Sequence, residues 1–127
     1  MQRSTGMAIL IAEDNPLNFE LVSDLLESRG HSVVWARDGA QAVAALEASR
    51  PVSGYDVLLL DVHLPVLDGV EVARRVQAVE LECRPRVIAL TADSCDAMRC
   101  ALLEAGAEAF LAKPMDLEAV VRAVEAG

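Results

Sequence analysis

A chain of 127 residues is one domain's worth of protein, and its 54% apolar content is enough to close a core. Aromatics are only 3%, so that core must be built from Val, Leu, Ile and Ala, and the composition excludes a disordered chain. Twenty acidic against eleven basic side chains leave a net charge of −9. That balance argues against direct contact with nucleic acid, whose phosphates demand a clustered basic surface.

Residues 1–7 are short and polar, with no apolar signal core, and read as a leader ahead of one domain at 8–127. The longest apolar runs, such as 57–60 (VLLL), fall far short of the roughly 20 residues that cross a bilayer, so no membrane insertion is expected. Cys83, Cys95 and Cys100 are odd in number and lack CxxC spacing. They read as free thiols of a cytoplasmic protein rather than as disulfides or a zinc site.

Residues 8–12 (AILIA) form an apolar run that stops at two acids, Glu13 and Asp14. Asn15-Pro16 then supplies a capping side chain followed by proline at the first helical position, where its missing N–H costs nothing. That helix runs to about Arg29, with Leu17, Leu21, Val22, Leu25 and Leu26 on one broad stripe, and Gly30 closes it. Residues 32–36 (SVVWA) read as a strand. Asp38-Gly39 opens an Ala-rich helix to about Ser49, with Ala42, Val43 and Leu46 facing in. A Pro-, Ser- and Gly-bearing loop at 51–54 leads to a buried strand at 56–60 that ends at Asp61.

Residues 62–68 hold Pro65 and are too broken for a strand. From Gly69 to about Val79 the chain is helical, with Val72, Ala73, Val76 and Val79 on one side. Residues 86–90 (RVIAL) are strand and stop at Thr91-Ala92; Ser94 caps a helix to Ala105, closed by Gly106. Residues 108–112 make a fifth strand, Lys113-Pro114 breaks it, and Asp116 caps a last helix carrying Leu117, Val120, Val121 and Val124. Five apolar strands alternating with five amphipathic helices predict an α/β domain, a doubly wound parallel sheet covered on both faces.

In such sheets ligands sit beyond the carboxyl ends of the strands. Those ends deliver Glu13 and Asp14, then Asp61, Thr91 and Lys113. Crowded carboxylates repel unless a cation neutralises them, and hard oxygen ligands suit Mg2+, which keeps waters and accepts phosphate oxygens. A hydroxyl and an ammonium beside them point to phosphoryl transfer, with a carboxylate as the nucleophile that forms an acyl phosphate.

With those residues in place, the sequence resembles the receiver domains of two-component response regulators over nearly its whole length. The matching motifs are ILIAEDN (9–15), LLLDVHLPVLDG (58–69), ALTA (89–92) and AFLAKP (109–114). The resemblance implies a flavodoxin-like sheet in the order 2-1-3-4-5. It implies that Asp61 accepts a phosphoryl group from a phosphohistidine on a sensor histidine kinase or histidine phosphotransfer protein. Glu13, Asp14, Asp61 and the backbone carbonyl of His63 would hold Mg2+, and Thr91, Ala92 and Lys113 would engage the phosphoryl group. The bond before Pro114 is usually cis in this family. Thr91 and Phe110 match the family's switch, and the readout face for a downstream protein would be the helix at 94–105, the strand at 108–112 and the last helix.

The 13–18 and 61–65 segments look most like receivers of hybrid kinases and of DivK-like single-domain regulators. In these the first helix and the loop at Pro114 face the histidine donor. Asn15, Leu17, Asn18, Leu21 and Pro114 are therefore docking candidates, with core the competing reading for Leu17 and Leu21 and the favoured one for Leu21. His63 and Asp93, two past Asp61 and Thr91, occupy positions that tune phosphoryl lifetime, and a pairing between them would hinder water. The expected protein is a signalling acceptor, monomeric or weakly dimeric, that catalyses only its own phosphoryl transfer and slow loss.

Three alternative readings fit the residues less well. A phosphatase with Asp61 as nucleophile wants a second Asp where His63 stands and room for a cap domain. A flavin or dinucleotide carrier wants a glycine- or hydroxyl-rich phosphate loop where Glu13-Asp14 stands. A receiver-like interaction module that never takes phosphate would be expected to lack Asp61 or Lys113, and both are present. Ending at Gly127, the chain fits a stand-alone regulator or a receiver cut from a larger protein.

Overall fold

The computed structural model describes residues 6–48, 55–61, 69–77, 85–91, 96–112 and 116–125, and strand alternates with helix throughout them. The elements are β1 (Ala8–Ala12), α1 (Pro16–Ser28), β2 (Ser32–Ala36), α2 (Gly39–Ala48) and β3 (Val57–Asp61). They continue as α3 (Gly69–Gln77), β4 (Arg86–Thr91), α4 (Asp96–Glu104), β5 (Ala109–Ala112) and α5 (Leu117–Glu125). The five strands form one parallel sheet in the order β2-β1-β3-β4-β5, the order that the resemblance implies. Ser94, Val79, Cys83 and Cys95 lie outside the described residues; Cys100 is an exposed free thiol.

The period-2 geometry of a strand sends alternate side chains to opposite faces, and two cores follow from it. Leu10, Ala12, Leu58, Leu60, Val87 and Ala89 pack with Ala42, Val43 and Leu46 of α2, Val72, Ala73 and Val76 of α3, and Leu102 of α4. Ile9, Ile11, Val57, Leu59 and Ile88 pack with Val22 and Leu26 of α1 and Val120 and Val124 of α5. The central strand β3 is buried at every position, which is why its sequence shows no alternation. Each fully buried Leu there contributes roughly 1.5–3 kcal/mol relative to exposure.

Local chemistry sets the helix ends. Asn15 Oδ1 accepts the N–H groups of Leu17 and Asn18 at 2.9 and 3.4 Å, Asp38 Oδ1 that of Gln41 at 2.8 Å, and Asp116 Oδ1 those of Glu118 and Ala119. Gly30 and Gly106 sit at φ 94° and 100°, a region costly for any side chain. At the first, Gly30 N–H donates to Glu27 O and His31 N–H to Leu26 O. At the second, Gly106 N–H donates to Leu103 O and Ala107 N–H to Leu102 O, so both α1 and α4 end in the same left-handed closure.

One packing expectation changes. Val22 and Leu26 are buried, but Leu17 and Leu21 are 69% and 57% exposed. Phe19, Val22 and Leu26 form the inward line of α1, and Leu17, Leu21 and Leu25 form a second i, i+4, i+8 line on its flank. The broad stripe is therefore two stripes, and Leu21 belongs to the outer one.

The amino-terminal edge of the sheet is laced by polar pairs. Asp56 Oδ2 accepts the Ala8 N–H at 2.8 Å, and Arg86 donates to Glu108 Oε2 and to the carbonyls of Ala123 and Val124 at the end of α5. His31, buried, accepts the Met7 N–H on Nδ1 at 3.0 Å, which leaves Nε2–H to donate to Glu125 at 2.9 Å. Arg29 grips the same carboxylate at 2.7 and 2.8 Å. The Arg29 and His31 hydrogen bonds hold the Glu125 carboxyl at about 2, and Glu125 in turn raises the Arg29 guanidinium.

Candidate functional site

The site lies at the opposite, carboxyl-terminal edge, where register decides what meets. Ala12 is level with Leu60, so Glu13 emerges beside Asp61, the last residue of β3. Asp61 is in turn level with Leu90, and Thr91 follows one step on, opposite Ala112 of β5. Glu13, Asp61 and Thr91 are all buried, at 1%, 2% and 6% exposure, whereas Asp14 is exposed.

Three of the carboxylates named from sequence converge. One oxygen each from Glu13, Asp14 and Asp61 lie within 4.8 Å of one another, a set able to hold a metal ion. The donor set is all oxygen, anionic, and open to solvent on the Asp14 side, which fits a hard divalent cation that keeps several waters. Two buried carboxylates at such separation are costly without positive charge near them, so the cluster fits the cation chemically as well as geometrically.

The acid turn is rigidly anchored. Glu13 N–H donates to the Ala36 carbonyl at 3.0 Å, and Glu13 Oε2 accepts the Asn15 N–H at 3.1 Å. The Glu13 carbonyl accepts the Trp35 indole N–H at 2.8 Å. Trp35 is stacked on Phe19 of α1, with ring centroids 4.4 Å apart and 6° between planes, and the Arg37 guanidinium lies over the ring at 4.6 Å. Trp35 enters the sequence reading only as a strand residue. The available signal was a lone tryptophan ending a strand beside the acid turn, since a Trp N–H away from water finds an acceptor.

The remaining site residues divide. Phe110 is half-buried and packs against the core beneath α2, α3 and α4. His63, Ala92, Asp93, Lys113 and Pro114, which carry the expected carbonyl ligand, phosphoryl-binding amide and ammonium, lifetime pair and cis bond, lie outside the described residues. Of the docking candidates, Leu17 is exposed, Asn18 half-exposed, and the side-chain oxygen of Asn15 is committed to capping α1. Leu21 is exposed with Leu17. Their line continues through Leu25 into a groove of about 470 Å³ between α1 and α5, bounded by Leu117, Val121, Arg29, Glu118 and Arg122. Among the described residues no helix is long and apolar enough to cross a membrane.

Comparison with known proteins agrees with this architecture. Residues 9–125 match the sequence family described as the response regulator receiver domain. The chain is 37% identical over 125 residues to the peroxide stress-activated histidine kinase mak3 of Schizosaccharomyces pombe, covering 96% of this chain and 5% of that protein. It is 37% identical over 116 residues to the transcriptional regulatory protein TcrA of Mycobacterium tuberculosis, covering 91% of this chain and 44% of that one. It thus spans less than half the length of either relative. Among solved structures it is similar to the receiver domain of the sensor histidine kinase PA1611 from Pseudomonas aeruginosa, crystallised with a magnesium ion in its active-site cleft. That match has 39% identity and a TM-score of 0.82, over 95% of this chain and 96% of the other. With the family matched across the whole sheet, its strand order reproduced and its acid cluster assembled, the chain belongs to the response regulator receiver domains of two-component signalling.

Proposed function

We propose that Asp61 accepts a phosphoryl group from a phosphohistidine of a sensor histidine kinase or histidine phosphotransfer protein, with Mg2+ held by Glu13, Asp14 and Asp61. The observation that carries this reading is the meeting of the acid pair after β1 with the buried carboxylate that ends β3. An Asp61 oxygen attacks phosphorus opposite the P–N bond; that bond breaks, its electron pair passes to the donor imidazole, and an acyl phosphate forms on Asp61. Mg2+, when bound, supplies the positive charge that offsets the transferring oxygens. The magnesium reported in the PA1611 cleft supports this choice of ion.

The chain's own residues orient the reaction. The ladder between β1 and β3 holds Asp61 level with Glu13, so the nucleophile is fixed by backbone rather than by a mobile loop. Thr91, one step beyond Asp61 on the neighbouring strand, offers a hydroxyl to a phosphoryl oxygen, and the family motifs give Lys113 and Ala92 the same task. Phe110, on the strand beside Thr91, carries the change toward the face formed by α4, β5 and α5, where a downstream protein would read it. The histidine donor docks on α1 through Leu17 and Leu21, whose exposure supports an apolar contact.

Incubation with acetyl phosphate and Mg2+, read by intact mass and peptide mapping, tests the assignment. One phosphoryl group on Asp61, absent from Asp61→Ala and not formed when chelator is present from the start, is expected. An adduct retained by Asp61→Ala, or none on the wild type, would overturn it and favour a module that binds partners without phosphate.

A further inference from the structure

We propose that Trp35 is a positioning residue for the cation site, holding the acid turn in the geometry at which Asp14 and Glu13 can share an ion with Asp61; this rests on reading those carboxylates as a divalent-cation site. The β1–β2 ladder ends with Ala12 opposite Ala36. One residue later the Glu13 N–H is still tied to β2 through Ala36 O, and the Glu13 carbonyl is tied to β2 by a side chain, the indole N–H of Trp35 at 2.8 Å. The Glu13 carbonyl and the Asp14 amide belong to one planar peptide, so fixing that oxygen also fixes the direction in which Asp14 leaves the strand. Asp14 is the exposed member of the cluster, with the least packing of its own to hold it.

The indole is itself immobilised. Phe19 stacks on it from the first turn of α1, and Arg37 lies over it from the residue after β2. Phe19 N–H donates to the Asn15 carbonyl at 3.0 Å, so the helix carrying the stacking ring is built directly on the acid turn. Trp35 thus connects the start of α1 to the metal-binding peptide through one hydrogen bond and one ring stack, both away from the carboxylates themselves. A hydrogen bond of this kind shifts an equilibrium by roughly threefold to tenfold when its loss lets the turn relax.

The test compares wild type with Trp35→Phe, which keeps an aromatic ring against Phe19 and removes only the donor. Mn2+ is the probe, and its free concentration is read by electron paramagnetic resonance at a temperature where circular dichroism shows both proteins folded. Weakening of Mn2+ affinity by threefold to tenfold is expected; a purely structural role would lower the melting temperature and leave the affinity of the folded protein unchanged. Equal affinities would overturn this role for Trp35 while leaving the cation site standing. No Mn2+ binding by the wild type at millimolar concentration would instead overturn the cation site, and this role with it. Trp35 is the chain's only tryptophan, so its emission in the wild type supplies a second measurement. Saturating Mg2+ should change that emission in the wild type and not in Asp14→Asn. Unchanged emission overturns the coupling, even if Trp35→Phe proves unable to fold.

Discussion

Replacing Asp61 by asparagine should make the metal-free protein more stable, not less. Asp61 and Glu13 are both buried, and their nearest ligating oxygens lie within 4.8 Å. At that separation two unit charges in a protein of effective dielectric near 20 repel by about 3 kcal/mol. Asp14 adds repulsion that water around its exposed side chain largely screens. The amide of Asp61→Asn is nearly isosteric, carries no charge, and brings N–H donors toward two carboxylates that accept them. Some of the gain is lost in re-satisfying the oxygen partners of the original side chain, so a net stabilisation of about 2 kcal/mol is expected. For a domain of this size that is a rise of about 6–10 °C in thermal midpoint. The assay is thermal unfolding in chelator and again in saturating Mg2+. The wild type should gain about 2.7 kcal/mol when Mg2+ reaches a hundred times its dissociation constant, and the variant much less, so the gap between them closes or inverts. An unchanged or lower midpoint for Asp61→Asn in chelator would refute the claim that like charges at this edge oppose folding.

Two further outcomes follow from the opposite edge and from α1. The Glu125 carboxyl is held at about 2 by Arg29 and His31, below its ordinary 4.5, so the stability it contributes is fully present above pH 4.5 and is lost as pH falls toward 2. Urea unfolding from pH 6 down to 2 should therefore show a shallower acid loss in Glu125→Gln than in the wild type; parallel curves would contradict the linkage. On α1, Leu21→Asp replaces a side chain that is 57% exposed and should change stability by no more than about 0.5 kcal/mol. Phosphorylation from a histidine phosphotransfer protein active on the wild type should slow at least tenfold, with the acetyl phosphate rate unaltered. Equal slowing from both donors would place Leu21 in the chemistry rather than the docking face.

Most of the architecture was legible because local and global signals agree. Asn15-Pro16, Asp38 and Asp116 announce helix starts, Gly30 and Gly106 their ends, and fully apolar strands between them leave little choice but a covered parallel sheet. The acid cluster was legible for the same reason: strand ends in a parallel sheet share one edge, so Glu13, Asp14 and Asp61 had to be neighbours once the strand order was given. Which way Leu21 faces was not legible. Helical periodicity gives an apolar line at 19, 22 and 26 and another at 17, 21 and 25, and only packing against the sheet and α5 decides which is covered. Nor was the Trp35 contact, because a hydrogen bond from a side chain to a carbonyl 22 residues away leaves no trace in periodicity or propensity. Strand ends also ran one residue further than expected, taking Asp61 and Thr91 into β3 and β4, since a ladder partner can hold a polar residue in extended form.

The two edges of the sheet divide the work of the molecule. At the amino-terminal edge opposite charges meet: Arg29 and His31 on Glu125, and Arg86 on Glu108 and on the last carbonyls of α5. These contacts tie the end of α1, the start of β2, β4, the start of β5 and α5 into one frame. At the carboxyl-terminal edge like charges are gathered by the same ladders, and their repulsion is tolerated because two apolar cores and the laced edge supply the stability. In a domain so arranged, added positive charge is favoured at the carboxyl-terminal edge. On the proposed function, a cation would lower the energy of that edge, and a phosphoryl group on Asp61 would redistribute its charge toward Thr91. With the opposite edge held by its own ion pairs, that change would be read in the elements that rise from the carboxyl-terminal edge. The Trp35–Glu13 bond marks the boundary between the two regimes: the indole is seated in the packed layer of α1 and β2, and its acceptor belongs to the acid turn.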